Sequence, residues 1–261
     1  MPHGQSWFSM LPFWENVANA GRLFGWPFSE GKTWVGHGEI GMQHVIGLSF
    51  VAFLIIVVAV VAHGRVADPK SAIVPEDKLS IRTFVELFVS TVYGMMSDIM
   101  GPKAARFFLP LIGTCAFIIF FSNFLGLVPG FLPPTNVLNT TVPCAVVIFL
   151  TTHIFGVKEH GIGYFAHFFG PIRKWYALPL MLLMFVIEVI SHFARPLSLS
   201  IRLMANMFAD HLVVGVFLGL VPYLVPIPMM ALGVLVCVVQ TLVFCILSCV
   251  YISMAIAHEE H

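Results

Sequence analysis

The chain has 261 residues, of which 59% are hydrophobic and only 10% are charged, and its formal net charge is zero. So few charged side chains cannot cover a water-facing surface of this size. The even balance of charge also excludes a basic nucleic-acid-binding protein. The five cysteines lie in apolar stretches without a CxxC pair and are interpreted as small hydrophobic residues. We therefore expect one polytopic membrane domain over residues 1–261.

The N-terminal part contains one clear membrane span. Residues 1–41 hold four tryptophans and lack the basic start and short apolar core of a cleaved signal, so they predict an interfacial segment. Residues 42–62 are almost wholly apolar and have the length of about 20 residues that a helix needs to cross hydrocarbon. The polar stretch that follows predicts a loop on one membrane face.

The middle of the chain predicts three helices. Residues 80–100 are apolar but carry three charged side chains, and they stop at Gly101-Pro102, a sequence that ends helices. An amphipathic helix that lies in the membrane is expected there. Two membrane spans follow at 107–128 and 137–157.

The last hundred residues predict a long helical hairpin. Residues 175–220 would form a helix of roughly 69 Å at 1.5 Å per residue, whereas a bilayer core is about 30 Å thick. Such a helix must be strongly tilted, bent or folded in two, and Pro196 is the expected place for a bend. A turn with three prolines then leads into a second long apolar helix at 229–257.

The orientation follows from the Lys and Arg residues of the loops. With the N-terminus outside, nine of them fall on the inner face: Arg65, Lys70, Lys78, Arg82, Lys103, Arg106, Lys158, Arg173 and Lys174. Arg22 and Lys32 fall outside. The count predicts an outer N-terminus and, after about five crossings, an inner C-terminus.

Polar side chains follow one face of the predicted helix 175–220. At 100° per residue, six of them lie within about 40° of a common direction: Glu188, His192, Arg195, Arg202, Asn206 and Asp210. Ser198 lies at the edge of this polar stripe, and His211 points about 140° away. Because ionisable groups are expensive at membrane depth, the stripe predicts a wet pathway or a charge offered to a partner.

Structural salt bridges are the alternative interpretation of this stripe. Glu188 and Arg195 are seven residues apart and could pair, so a structural role for Arg195 stays open. Arg202 has no acidic residue three or four positions away, and its partner is expected outside this chain.

The segment Pro196-Leu-Ser-Leu-Ser-Ile-Arg202-Leu-Met-Ala-Asn206-Met closely resembles the signature of subunit a of F-type ATP synthases. The same family is matched by Glu188, by the Asn123 segment that ends in Pro129, by Gln240-Thr-Leu-Val-Phe and by Tyr251-Ile-Ser-Met-Ala. Together these matches extend over residues 80–257.

The resemblance implies a proton-translocating stator with two aqueous half-channels and without ATP chemistry of its own. Arg202 would face the carboxylates of a rotating c-ring, favour the release of their protons and block direct passage between the half-channels. Proton-pathway roles are implied for Glu188, Asn206, His211, Gln240 and Asn123, with Arg195, Ser198, Asp210 and Tyr251 as supporting candidates.

The sequence departs from the family at Gly233, seven residues before Gln240, where relatives often carry Glu or His. We hypothesise that His192, on the same face as Glu188 and Arg202, supplies the missing proton-handling group. A buried, hydrogen-bonded histidine is the alternative.

Three further histidines recur every seven residues at His153, His160 and His167. Gly161 and Gly163 interrupt any helix that would align them as ligands, so no metal site is predicted.

The resemblance implies the c-ring, peripheral-stalk b subunits and the remainder of the complex as partners, beside lipid and protons. No cofactor or nucleic acid is expected, and a bacterial plasma membrane is the expected location. The fold class is an all-α polytopic membrane protein with about five crossings, an amphipathic in-membrane helix and a long tilted hairpin that packs on the c-ring. A self-contained transporter or channel is the alternative, although no internal repeat is apparent.

Overall fold

The computed structural model describes residues 43–66, 80–128, 131–161, 178–220 and 226–256. Their regular structure is entirely helical: α1 Gln43–Val66, α2 Ile81–Gly126, a 3-10 helix Pro134–Asn136, α3 Leu138–His160, α4 Leu178–Leu220 and α5 Pro226–Ile256. All five α-helices are long and apolar enough to cross a membrane. The all-α polytopic fold is thus confirmed, whereas the interfacial segment 1–41, most of the polar loop and the chain end lie outside the described residues.

Helix α2 is interrupted at Gly101, the predicted stop. Gly101 has φ 78° and ψ 160°, a conformation that is essentially restricted to glycine. The helix resumes at once with Pro102, five residues before the predicted span at 107, because proline is favoured at the first helical position, where no N–H bond is needed.

The two halves of α2 fold back on each other at this break. The Phe88 and Phe117 rings lie 4.3 Å apart between centroids, and Phe84 lies 6.0 Å from Phe120. In an unbroken helix Phe88 and Phe117 would be about 43 Å apart. The halves are therefore antiparallel, and Gly101 forms the turn between them.

Arg82 differs from its predicted place in an inner loop. It lies in the first turn of α2, is 3% exposed and pairs with Glu86, with 2.7 Å between Nε and Oε1. Ser80 precedes this turn and accepts a hydrogen bond from the backbone N–H of Thr83, as helix-capping residues do. Arg82 therefore does not count among the basic loop residues from which the orientation is inferred.

Aromatic contacts define two ends of the helix bundle. At one end Phe50 of α1 stacks on Phe131, with centroids 6.4 Å apart. At the other end Phe107 and Phe108, just after the turn of α2, pack on Phe155 of α3 at 5.3 and 4.9 Å. Three basic residues belong to this second end: Lys103, Arg106 and Lys158. We call it the basic end and the first the opposite end.

The hydrophobic core is formed by four helices, α2, α3, α4 and α5. Its fully buried side chains include Met96, Ile112 and Ile119 of α2, Ile148 of α3, Leu203 of α4, and Phe244 and Ile252 of α5. All five cysteines are free, and four of them are buried. Their interpretation as small hydrophobic residues agrees with this placement.

Helix α4 remains one helix through Pro196, so a fold into two separate helices does not occur within Leu178–Leu220. Its 43 residues correspond to about 64 Å. Helix α5 begins at Pro226, earlier than the predicted 229, because prolines in a first turn lose no helical hydrogen bond. Both helices are longer than the bilayer core is thick, so each must be tilted or must extend beyond the core.

Replacing Gly101 by alanine is expected to destabilise the protein by about 1–3 kcal/mol, because a Cβ is strongly disfavoured at this φ and ψ. SDS titration of the purified protein in detergent measures the effect. Gly113→Ala is the matched control, since Gly113 lies in the same helix and nothing lies within 4 Å of its built Cβ. Equal effects of the two substitutions would contradict a conformational requirement at Gly101.

Candidate functional site

Helix α4 is the most open of the five helices. Only 6% of its most apolar window is buried, against 17–39% in the other spans. Leu203 and Met207 pack into the core, whereas Ser198, Arg202 and Asn206 are exposed. Within the described residues Arg202 makes no hydrogen bond and no ion pair. The guanidinium is therefore open to a neighbour on this face of α4.

One turn beyond Arg202, a hydrogen bond links α4 to α5. Asn206 donates from Nδ2 to Oε1 of Gln240, with 2.6 Å between the two atoms. Gln240 is 4% exposed, so the bond connects the buried side of α5 to the exposed face of α4. Two predicted site residues that are 34 positions apart in sequence are thus brought together.

The space left by Gly233 is filled by a carboxylate from α4. A Cβ built on Gly233 would lie 2.9 Å from Oδ2 of Asp210 and 2.5 Å from Cδ2 of Leu127. In the present packing, a side chain at 233 would have to displace the ends of the Asp210 and Leu127 side chains. His211, next to Asp210, is half-buried.

A second group of polar residues lies near the basic end of the bundle. His192 Nε2 is 3.3 Å from Oε1 of Glu188, and its ring lies 5.1 Å from the ring of His153 on α3, edge to face. Arg195 is placed over the ring of Tyr251 on α5, at 5.5 Å from the centroid. Within the described ranges Glu188 contacts His192, and its alternative pairing with Arg195 is not found.

A third polar group lies at the opposite end, around Asn123. Thr135 of the 3-10 helix donates to Oδ1 of Asn123 at 2.7 Å. Nδ2 of Asn123, Oγ of Ser122 and Oδ1 of Asn136 are buried without a hydrogen-bond partner among the described residues. Buried polar atoms of this kind are normally satisfied by ordered water. These three atoms are therefore candidate water-binding groups.

The predicted polar stripe thus divides into three levels. Glu188, His192 and Arg195 lie near the basic end, Arg202 and Asn206 follow, and Asp210 lies at the level of Leu127 near the opposite end. His192 is 18 residues from Asp210, which is about 27 Å along a helix. Asp210 occupies the space beside Gly233, and His192 does not lie at this level.

Two contacts of the site were not predicted from sequence. His153 enters the sequence prediction only in the histidine series without a metal site, and Thr135 does not enter it. A histidine inside a membrane span is itself a sign of a functional residue, so His153 was predictable. Thr135 was not, because its contact depends on the turn that brings it to Asn123.

Comparison with known proteins gives one consistent family. The family model described as "ATP synthase A chain" matches residues 46–253. "ATP synthase subunit a" of Sorangium cellulosum is 47% identical over 234 residues, covering 88% of this chain and 90% of the relative. "ATP synthase subunit a 2" of Syntrophotalea carbinolica is 48% identical over 198 residues, or 76% and 80% of the two chains. "ATP synthase subunit a" of Geobacter sulfurreducens is 49% identical over 173 residues, or 66% and 73%.

The bond between Asn206 and Gln240 is expected to contribute about 0.6–1.7 kcal/mol, the usual range for hydrogen bonds between membrane helices. A double-mutant cycle of Asn206→Ala and Gln240→Ala, followed by SDS unfolding, measures it. The cycle of Ser198→Ala with Gln240→Ala is the control, because Ser198 lies two turns from Asn206. Additive effects in the first cycle would exclude the bond.

Gly233→Ala is expected to destabilise the protein by about 1–3 kcal/mol through overpacking against Asp210 and Leu127. Gly215→Ala in α4 serves as control, since no atom lies within 4 Å of its built Cβ. The cost of Gly233→Ala should fall in the Asp210→Ala background. An unchanged cost there would mean that Asp210 does not fill this space.

Proposed function

The chain belongs to the ATP synthase A chain family, and we propose that it is the membrane stator subunit that couples proton flow to rotation of a carboxylate-bearing c-ring. The observation that carries this proposal is Arg202, exposed and without an ion pair in the described part of the chain, on the least buried helix. In this proposal, a cation at membrane depth without an ion pair in its own chain receives its counter-charge from another subunit.

Arg202 acts electrostatically in this proposal. A fixed guanidinium favours the ionised form of a carboxyl group that comes within about 4–6 Å, so a protonated ring site would release its proton there. The same charge opposes the direct passage of a proton along α4. Each proton crossing supplies about 2.3 kcal/mol per 100 mV of membrane potential, and this energy would drive rotation. The chain itself performs no ATP chemistry.

The outer half-channel is assigned to the opposite end of the bundle. The buried polar atoms around Asn123 would hold water at its entrance. Asp210 and His211 would then receive protons, and the linked amides of Asn206 and Gln240 would order water next to Arg202. Asp210 takes the place that the family usually gives to a side chain at position 233.

The inner half-channel is assigned to the basic end. Glu188 is 36% exposed and pairs with His192, so it can exchange protons with water. Arg195 and Tyr251 support this group from α4 and α5, and Ser198 lies on the exposed face between it and Arg202.

The orientation of the chain in the membrane is proposed from the positive charge at the basic end. Lys103, Arg106 and Lys158 lie there in the described residues, and positive charge favours the cytoplasmic side. Helix α1 starts at the opposite end, which gives an outer N-terminus. Helix α5 ends near the basic end, which gives a cytoplasmic C-terminus in a bacterial plasma membrane. Residues 1–261 would act as one membrane domain beside the c-ring and the peripheral-stalk b subunits.

Arg202→Ala is expected to abolish both ATP-driven proton pumping and proton-driven ATP synthesis in vesicles that carry the whole enzyme. The physical reason is the loss of the cation that discharges ring sites and separates the half-channels. Pumping is followed with a fluorescent pH indicator, and synthesis is followed with luciferase.

The matched control is Lys103→Ala, which removes an exposed cation from α2 instead of α4 and should retain coupled synthesis. Assembly of both variant complexes is checked by native electrophoresis. Coupled synthesis by a fully assembled Arg202→Ala enzyme would overturn the proposal.

A further inference from the structure

We propose that His153 of α3 is a proton-transfer residue of the inner half-channel and forms a relay with His192 and Glu188 of α4. The proposal rests on the proton-translocating function above and adds a residue that lies on a different helix. The polar stripe of α4 does not include His153. Its evidence is the arrangement of proton-binding groups around one small cavity.

The first step is that these groups lie next to one another in a continuous series. The carboxylate of Glu188 is 3.3 Å from Nε2 of His192. The imidazole of His192 meets that of His153 edge to face, with centroids 5.1 Å apart. Glu188 is 36% exposed and the His192 side chain only 12%. The series therefore leads from a half-exposed carboxylate to the more enclosed imidazole of His192, and from there to His153.

The second step is the cavity between the helices. It has a volume of about 20 Å³ and is lined by His153, His192, Arg195 and Tyr251 among others. A buried water needs roughly 10–15 Å³ by this measure and two to four polar partners. One water fits the space and can bridge the two imidazoles. The two imidazoles and this water are the groups of the proposed path.

The third step is the balance of charge around the pair. Among the described residues, the charged and titratable groups that face it are Glu188 and Arg195 from α4 and Tyr251 from α5. The formal charges of Glu188 and Arg195 cancel. A proton on either imidazole then adds one positive charge to this group, which suits a site that is occupied transiently during transfer.

The transfer conserves protons at each group. A proton arriving from the Arg202 side binds one imidazole, which passes a proton to the cavity water while this water gives one to the other imidazole. His192 then protonates Glu188, and Glu188 releases the proton to the inner face. Glu188 is 14 residues from Arg202, about 21 Å along the helix, and His192 is 10 residues away, about 15 Å. The order of groups along α4 therefore matches a path toward the basic end.

His153→Gln tests the relay in vesicles that carry the whole enzyme. Glutamine keeps a hydrogen-bonding side chain but cannot carry the proton. Pumping is expected to fall about tenfold, less than the roughly 10²–10⁴-fold typical of an obligatory acid–base group, because water offers a slower path. The pH dependence of pumping between about pH 6 and 8 should also change, since histidine titrates in this range.

Phe149→Leu is the matched control for packing, because the Phe149 ring lies 4.2 Å from that of His153 without carrying protons. It should leave the pH profile unchanged. Added imidazole should restore pumping to His153→Ala, whereas pyrazole, which has the same shape but does not take a proton near neutral pH, should not. His192→Gln gives the same test on the other ring if a His153 variant fails to assemble.

Normal pumping by assembled His153→Gln, or equal and pH-independent losses in His153→Gln and Phe149→Leu, would overturn the relay. Arg202→Ala vesicles are measured in parallel. If Arg202→Ala stays coupled, the proposed function itself fails. If Arg202→Ala is inactive and His153→Gln is normal, only the relay fails.

Discussion

An arginine inside an apolar helix is the constraint on which the rest of this structure depends. Even lenient insertion scales assign about 2.5–3.5 kcal/mol to a guanidinium at the centre of a membrane helix. In the described residues Arg202 has no carboxylate partner, and it lies on the exposed face of α4. The neighbouring core residues Leu203 and Met207 hold the helix so that this face stays open. In the proposed function, a carboxylate of the c-ring offsets the cost of this arginine.

Other polar side chains of α4, unlike Arg202, contact residues within the chain. Glu188 and His192 bind each other, Arg195 lies over Tyr251, and Asn206 is bonded to Gln240. Each of these contacts lowers the desolvation cost inside the chain, and the last two join α4 to α5. The contacts on the two sides of Arg202 involve different partners, α3 and the end of α5 on one side and the middle of α5 on the other. In the proposed function, this separation keeps the two proton paths apart along α4.

The sequence predicted much of this arrangement, because membrane spans and buried charges follow from composition and helical periodicity. The break at Gly101 and the polar face of α4 were readable in this way. The fold-back of α2 was not, since nothing local indicates that Phe88 meets Phe117. The position of His192 against His153 was missed for the same reason. Helical angles give the direction of a side chain on its own helix, but not the helix that it meets.

Gly233 shows how the packing of two helices decides which of them places a polar group at a given depth. Helices α4 and α5 approach so closely at this level that a Cβ at position 233 would contact the ends of the Asp210 and Leu127 side chains. A larger side chain at 233 would have to displace both ends. In the proposed function, Asp210 of α4 therefore supplies the carboxylate at this depth, and the side chain on α5 is absent.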